Sequence, residues 1–474
     1  MNRTTPLVVL GGGPGGYTAA FLAAEQGIPT LLLDADSQPG GVCLQRGCIP
    51  SKALLQVARL ILENREAARM GLHFAPPAID LAGVRHWKEA VVQRLMGGLA
   101  EQCRRRGVTF LQGQGRLLDA HTLLVSHPDG REESLSFDNA ILATGSRPAG
   151  LPGLDLTLPG IMDSTQALAL ERIPRTLLVV GGGTIGLELG TVYAALGSAV
   201  SVVEKSDGLL PGADRDLLRP LAQRLARLFA SVQTQTQVTA LQRETDGIRV
   251  TVQNGENRTE HWAEALLVAT GRLPNSQNLG LEKAGIALER GFVTVGADMR
   301  SSVPHILAIG DLIGGAMLAH KAAADARRAV ATLTNQPATG RKVVPVVTYT
   351  DPELAYAGLT ESAARQQGIP VKAIRFPWAA SGRAHTLERT EGLSKWIIDP
   401  PSERVLGVGI VGAHAGELLA YGVQALEQGL TIRQVAQTLH PHPTLSETLQ
   451  EAAELSLGES VHYYAPRRER STLG

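Results

Sequence analysis

An α/β chain is predicted, with two doubly wound nucleotide-type units followed by an α+β domain, on three observations. Two stretches share one strand, glycine turn, helix, strand pattern; two similar strand-like runs close them; and the pattern changes after residue 345. The first stretch is TPLVVLGGGPGGYTAAFLAAEQGIPTLLLDAD, in which apolar β-branched runs bracket an Ala-rich segment of helical periodicity. Gly11, Gly13 and Gly16 form G-x-G-x-x-G directly after the strand, and Asp34 ends the next strand. Glycines permit the tight turn and close backbone approach, helix N-terminal amides suit a pyrophosphate, and the acid suits a ribose hydroxyl. The second stretch, RTLLVVGGGTIGLELGTVYAALGSAVSVVEKSD, repeats this with Gly181, Gly183, Gly186 and Glu204, so two Rossmann-like domains and two dinucleotides are expected. The runs NAILATGSRP and EALLVATGRLP close these regions and place boundaries near residues 149 and 274. Beyond residue 345, VVPVVTYTDPELAYAG, AIRFPWAAS, LSKWIID and VLGVGIVG read as strands separated by helices such as ESAARQQG. Only PRRERSTLG reads as a disordered tail.

At 474 residues the chain is long enough for three or more domains. Forty-five Lys+Arg balance forty-five Asp+Glu, so neither a nucleic-acid field nor a polybasic membrane anchor is expected. The opening residues lead straight into a strand without the apolar core of a signal peptide, and no stretch reaches the roughly 18 apolar residues of a membrane span, so a cytoplasmic protein is expected.

Three cysteines are too few for a structural disulfide framework. Cys103, in EQCRRRG, reads as filling space or lying at a surface. Cys43 and Cys48, in GGVCLQRGCIPSKALL, need a chemical explanation. Five residues of ideal helix rise about 7.5 Å, beyond the roughly 4.4–6.8 Å Cα separation of a disulfide. A turn distorted at Gly47, with Pro50 in the first turn of the helix proper, would bridge them and leave the bridge labile and redox-active. Helix N-terminal amides would also favour a thiolate near neutral pH. The plainer alternative is two buried reduced thiols; metal binding lacks further Cys or His ligands nearby, so no metal is expected. In ILAIGDLIGGAMLAHKAAADA, Asp311 after Gly310 is read as a holder for a cofactor's polyol chain, with a helix cap as the plainer role.

GGVCLQRGCIPSK resembles the active-site signature of the pyridine nucleotide disulfide oxidoreductases, over essentially the whole chain. Within that family FPWAASGRA, GGAMLAHKA and LHPHPTLSETL look like the bacterial dihydrolipoamide dehydrogenases. The resemblance implies an FAD domain with the redox disulfide (1–149), an NAD domain (150–274), a central domain completing the FAD site (275–344) and a dimer-interface domain (345–474). It implies that Cys43 exchanges with the dithiol substrate and that Cys48 donates electrons to the flavin, with Lys52 near the flavin and paired with Glu188. Gly115, Thr144, Gly145, Asp311 and the run Met317, Leu318, Ala319, His320 would line FAD, and Gly271 would join the NAD site. The active site would lie between subunits of a homodimer, where His442 of one chain meets the cysteines of the other. Arg46 and Pro441 depart from the family's usual Val and Ala, and Arg46 is expected to add charge close to the thiols.

Glu204 points to NAD, because an acid accepts from the ribose 2′-OH and repels a 2′-phosphate; Lys205 reads as a solvated side chain. Glu447 would orient the His442 imidazole as general base, with Ser446 as a possible helix cap and His440 ranked well below His442. The expected reaction is oxidation of a protein-bound dihydrolipoyl group to lipoyl, through Cys43–Cys48 and FAD, with NAD+ reduced to NADH. The carrier would be a 2-oxoacid dehydrogenase E2 protein, a glycine cleavage H protein or another lipoyl protein. The alternatives are a flavin reductase for another disulfide and a non-catalytic FAD scaffold of a lipoyl complex; intact Cys43, Cys48, Lys52, Glu188, His442 and Glu447 argue against the scaffold.

Overall fold

The computed structural model describes residues 3–337 and 343–464, and the tail PRRERSTLG lies outside them. The chain divides into two compact units, one of residues 1–181, 239–250 and 261–341, the other of residues 182–238, 251–260 and 342–474. Among the described residues no helix is long and apolar enough to cross a membrane.

In the first unit, β1 (Arg3–Leu10) leads through the glycine turn into α1 (Pro14–Glu25) and β2 (Thr30–Asp34). Both faces of β1 are buried: Leu7 and Val9 pack with Ala19, Ala20 and Ala23 of α1, while Val8 and Leu10 pack with Leu123, Val125 and Leu135. Burial of both faces explains a continuous apolar run where a half-buried strand would alternate. β1 lies parallel to β2 and to the strand Glu132–Leu142, and Ile306–Ala308 adds in parallel beside Ala140–Leu142. The strands Thr176–Val180 and Ala265–Val268 also run parallel. The two closing runs end in short strands, Ser146–Pro148 and Arg272–Pro274, which pair antiparallel with each other. Cys103 is 3% exposed and fills the core beneath α1.

The second unit carries the helix Thr184–Leu196, buried from Gly186 through Leu196, and parallel strands Ala199–Val203 and Ser231–Gln233. Its C-terminal part is a five-stranded antiparallel sheet whose middle strands are Glu353–Gly358, Val405–Gly412 and Leu393–Ile398, as the sequence predicts. Trp378, Trp396 and Phe376 fill its core. Trp396 Nε1 donates to Leu449 O at 2.8 Å, and the hydroxyls of Ser394 and Thr448 lie 2.7 Å apart. These buried bonds fix the helix Glu447–Leu457 against the sheet. Lys395, 1% exposed, lies 2.7 Å from Asp214 and 3.0 Å from Asp216, with Glu361 as a third carboxylate partner. Burial pushes the Asp214 carboxyl up, but Lys395 and the amides of Glu361 and Ser362 outweigh it and hold the group ionised.

Candidate active site

The cysteines occupy two helices broken at Gly47: α2 (Gly41–Arg46) carries Cys43, and Cys48 opens α3 (Cys48–Glu66). Gly47 is required by close approach, since a Cβ there would lie 2.9 Å from Val42 O and 3.2 Å from Cys43 Cα. The distorted turn expected from the spacing is therefore present, with the two cysteines as thiols that hydrogen-bond to one another. That bond to Cys48, followed by burial, pushes the Cys43 thiol well above its ordinary pKa, while the Lys52 charge acts in the opposite sense. At Cys43 these influences oppose the thiolate that helix N-terminal amides are expected to favour. Cys43 is the third residue of α2 and Cys48 the first of α3, so both stand in a first helical turn. Lys52 follows Cys48 by one turn of α3 and so shares its face.

The first glycine turn brings the backbone close to the start of α1, an arrangement that could hold an anion. No side chain caps the first amides of α1, and a Cβ on Gly16 would lie 1.7 Å from Gly11 O, so helix and turn meet with nothing between them. Asp34 accepts from the Gly12 amide and, at 2.7 Å, from the Asp36 amide. Burial pushes its carboxyl up against these bonds. Ser146 donates to Asp311, and Arg272 Nε lies 2.7 Å from Ser146 Oγ and 3.9 Å from Asp311. Thr144 and Gly145 are tied to Asn275, with Thr144 Oγ1 donating to its carbonyl at 2.9 Å. Gly115 lies in the strand Gln114–Leu117. Met317 and Leu318 lead into the helix Ala319–Leu333, where Ala319 is first and His320 is exposed.

Spacing did not reveal two residues of this region. Tyr17 lies near both thiols, and burial, then Cys43 and Cys48, push its hydroxyl pKa up. Arg272 is lowered by burial, against the opposing fields of Asp311, Cys48 and Asp163. The sequence signal for Arg272 was its place in ATGRLP, twin of the ATGSRP run that holds Ser146. The Arg46 guanidinium forks onto Asp36 at 3.0 and 2.7 Å, a partner not read from the sequence.

In the second unit the other fingerprint acid repeats the arrangement of Asp34: Glu204 accepts from the amides of Gly182 and Ser206, each at 2.6 Å. Gly183 stands at the cap position of the helix Thr184–Leu196, which contains Gly186, while Gly181 (φ 115°) and Gly271 (φ 136°) belong to the first unit. Lys205 is exposed. Glu188, 3% exposed, accepts from the Tyr349 amide at 2.9 Å.

His442 Nδ1 lies 2.8 Å from Glu447 Oε1, whose second oxygen accepts from the Thr444 amide at 2.6 Å. The imidazole is 73% exposed, and Nδ1 is the ring nitrogen engaged by Glu447. Ser446 does not cap the helix, because its hydroxyl lies 2.8 Å from Thr444 Oγ1 instead. His440 packs edge-on against Tyr421 at 5.0 Å, and burial pushes its pKa down, as suits a neutral packing residue.

A dithiol beside one glycine turn, with a second glycine turn later in the chain, defines an oxidoreductase that couples thiol chemistry to dinucleotides. Residues 5–326 match the pyridine nucleotide-disulphide oxidoreductase model and residues 344–453 match that family's dimerisation domain. The chain belongs to the pyridine nucleotide-disulphide oxidoreductase family, whose cofactors are FAD and NAD(P). It is 45% identical over 456 residues to dihydrolipoyl dehydrogenase of Haemophilus influenzae, covering 96% of this chain and 95% of that one. LpdA of Mycobacterium tuberculosis superposes with TM-score 0.88 at 29% identity, covering 95% and 99% of the two chains. The HOCl-induced flavoprotein disulfide reductase RclA of Escherichia coli, solved as a Cu(II) complex, superposes with TM-score 0.86 at 27% identity, covering 96% and 100%.

Proposed function

We propose that the protein is a dihydrolipoyl dehydrogenase that oxidises protein-bound dihydrolipoyl groups and reduces NAD+. The observation that carries this reading is the pair of cysteines set on either side of the helix break at Gly47. Full-length relatedness to enzymes of that name supports the lipoyl substrate. His442 of one subunit, oriented by Glu447, takes the proton from a dihydrolipoyl thiol at the partner's disulfide. The resulting thiolate attacks Cys43, a mixed disulfide forms and Cys48 leaves as thiolate; the second substrate thiol then displaces Cys43, releasing lipoyl and leaving the dithiol. FAD, when bound, supplies the two-electron chemistry that links the dithiol to the nicotinamide. Lys52, one helical turn after Cys48, lies beside the flavin in this reading. The dimerisation domain supports a homodimer, and the balanced charge suits a protein partner bearing lipoyl better than a polyanion. The four-domain division at residues 149, 274 and 344, and a cytoplasmic setting, belong to the same reading.

Anaerobic addition of dihydrolipoamide should bleach the flavin absorbance of the purified protein, and NAD+ should restore it. An unchanged spectrum with dihydrolipoamide, in protein that NADH does reduce, would assign another disulfide to the site.

NAD rather than NADP is the preferred nucleotide, because Glu204 favours a free 2′-hydroxyl by hydrogen bonding and opposes a 2′-phosphate by charge. Glu204→Ala should narrow the NAD to NADP ratio of kcat/KM roughly tenfold, the loss of one charge-assisted bond. Equal kcat/KM for both nucleotides in the wild type would remove Glu204 from the argument.

A further inference from the structure

The helix that carries Cys43 is fastened at both ends to the first glycine fingerprint. At its start, the Gly40 amide donates to Gly12 O at 2.8 Å, and a Cβ on Gly41 would come within 2.5 Å of Gly13 Cα. At its end, Arg46 Nη1 and Nη2 donate to the two oxygens of Asp36 at 3.0 and 2.7 Å. The Asp36 amide in turn donates to Asp34 Oδ1 at 2.7 Å, and the other Asp34 oxygen accepts from Gly12. The circuit Gly12, Asp34, Asp36, Arg46, α2, Gly40, Gly12 is thus closed by hydrogen bonds, and Cys43 sits inside it.

We propose that Arg46 is a positioning residue that latches the redox helix α2 to the ribose-binding acid Asp34, so that FAD retention and the shielding of Cys43 change together. The inference rests on the reading of Asp34 as an FAD ligand. The pair is part-exposed, 40% for Arg46 and 24% for Asp36, and a single-bonded ion pair so placed would contribute little. A two-bonded fork between a helix end and a loop anchored at Gly12 differs, because its geometry is already fixed and both carboxylate oxygens are engaged. The charged groups acting on Asp34 are Asp36, which opposes its ionisation, and Arg46, which favours it. Removing Arg46 therefore loosens α2 and also leaves the neighbouring carboxylates Asp34 and Asp36 without its charge.

The test uses intact holoenzyme, with FAD release followed by the fluorescence of free flavin and Cys43 exposure by iodoacetamide alkylation after NADH reduction. Arg46→Val should release FAD about fivefold faster and alkylate faster by a similar factor, the size of one charge-assisted bond in a part-exposed setting. Asp36→Asn should reproduce both effects, and the double variant should be no worse than either single one. Arg46→Lys keeps the charge without the fork and should fall between. Acid-induced FAD loss should begin at higher pH in Arg46→Val, since Asp34 then protonates more readily; a merely structural role would leave that onset in place. FAD release at the wild-type rate in Arg46→Val would overturn the latch, as would faster release with unchanged alkylation. Wild-type protein that binds no flavin at all would overturn the FAD reading instead.

Discussion

His442→Gln should turn over dihydrolipoamide about 10²- to 10⁴-fold more slowly than wild type, the usual contribution of a positioned general base. The expectation follows from the dyad: Nδ1 is held 2.8 Å from Glu447 Oε1, and Glu447 is itself fixed by the Thr444 amide and by the first turn of its helix. An amide side chain fills the space but takes no proton at neutral pH. Glu447→Gln should lose less, because the ring keeps a hydrogen-bond partner while losing the charge that stabilises imidazolium. NADH oxidation by an artificial acceptor at the flavin bypasses the thiol proton and should survive both changes. The exposure of the ring, 73%, fits a group whose reaction partner arrives from outside the chain. Mixing Cys43→Ser chains with His442→Gln chains should therefore create one intact site per heterodimer and recover part of the activity. Proven heterodimers without recovery would put base and disulfide in one subunit.

Cys48→Ser should abolish dihydrolipoamide turnover, by at least roughly 10³-fold, since no disulfide can form and the electron pair loses its route. Flavin should remain bound, because the fingerprint turn and Asp34 are untouched. The bond to Cys48 is the largest influence holding the Cys43 thiol protonated, so its pKa should fall in the variant; burial continues to raise it and Lys52 to lower it. Alkylation of Cys43 as a function of pH reads this directly, with the reactive thiolate appearing at lower pH than in the reduced wild type. Normal turnover by Cys48→Ser would remove the disulfide from the mechanism.

Much of this site was legible in sequence because its parts are local. Gly11, Gly13, Gly16 and Asp34 lie in one βαβ unit, the break at Gly47 follows from two cysteines five residues apart, and Glu447 is near enough in sequence to His442 for the dyad to be read from spacing. What escaped is set by convergence. Arg272 meets Ser146 and Asp311 from distant parts of the chain, and no periodicity announces that meeting. The partner of Arg46 escaped for the same reason: Cys48 is two residues away in sequence, but the guanidinium is engaged by Asp36, ten residues back across a turn. Ser446 has the residue type of a cap, yet the Thr444 hydroxyl competes for it. The state of the thiols depends on a hydrogen bond between two sulfurs, and residue types alone carry no information about who donates.

The antiparallel pairing of Ser146–Pro148 with Arg272–Pro274 has a bearing on how such a chain is assembled over evolutionary time. The Ala149 amide donates to Gly271 O at 2.9 Å, so the polypeptide departs and comes back at a single rung. The stretch encoded between has its ends side by side, the arrangement in which insertions are tolerated with least disturbance to the surrounding sheet. The host sheet is completed later, when Ile306–Ala308 returns beside Ala140–Leu142. A change of length or sequence between the two runs ATGSRP and ATGRLP therefore leaves the spacing of their paired ends, and with it the sheet that carries Asp34, undisturbed.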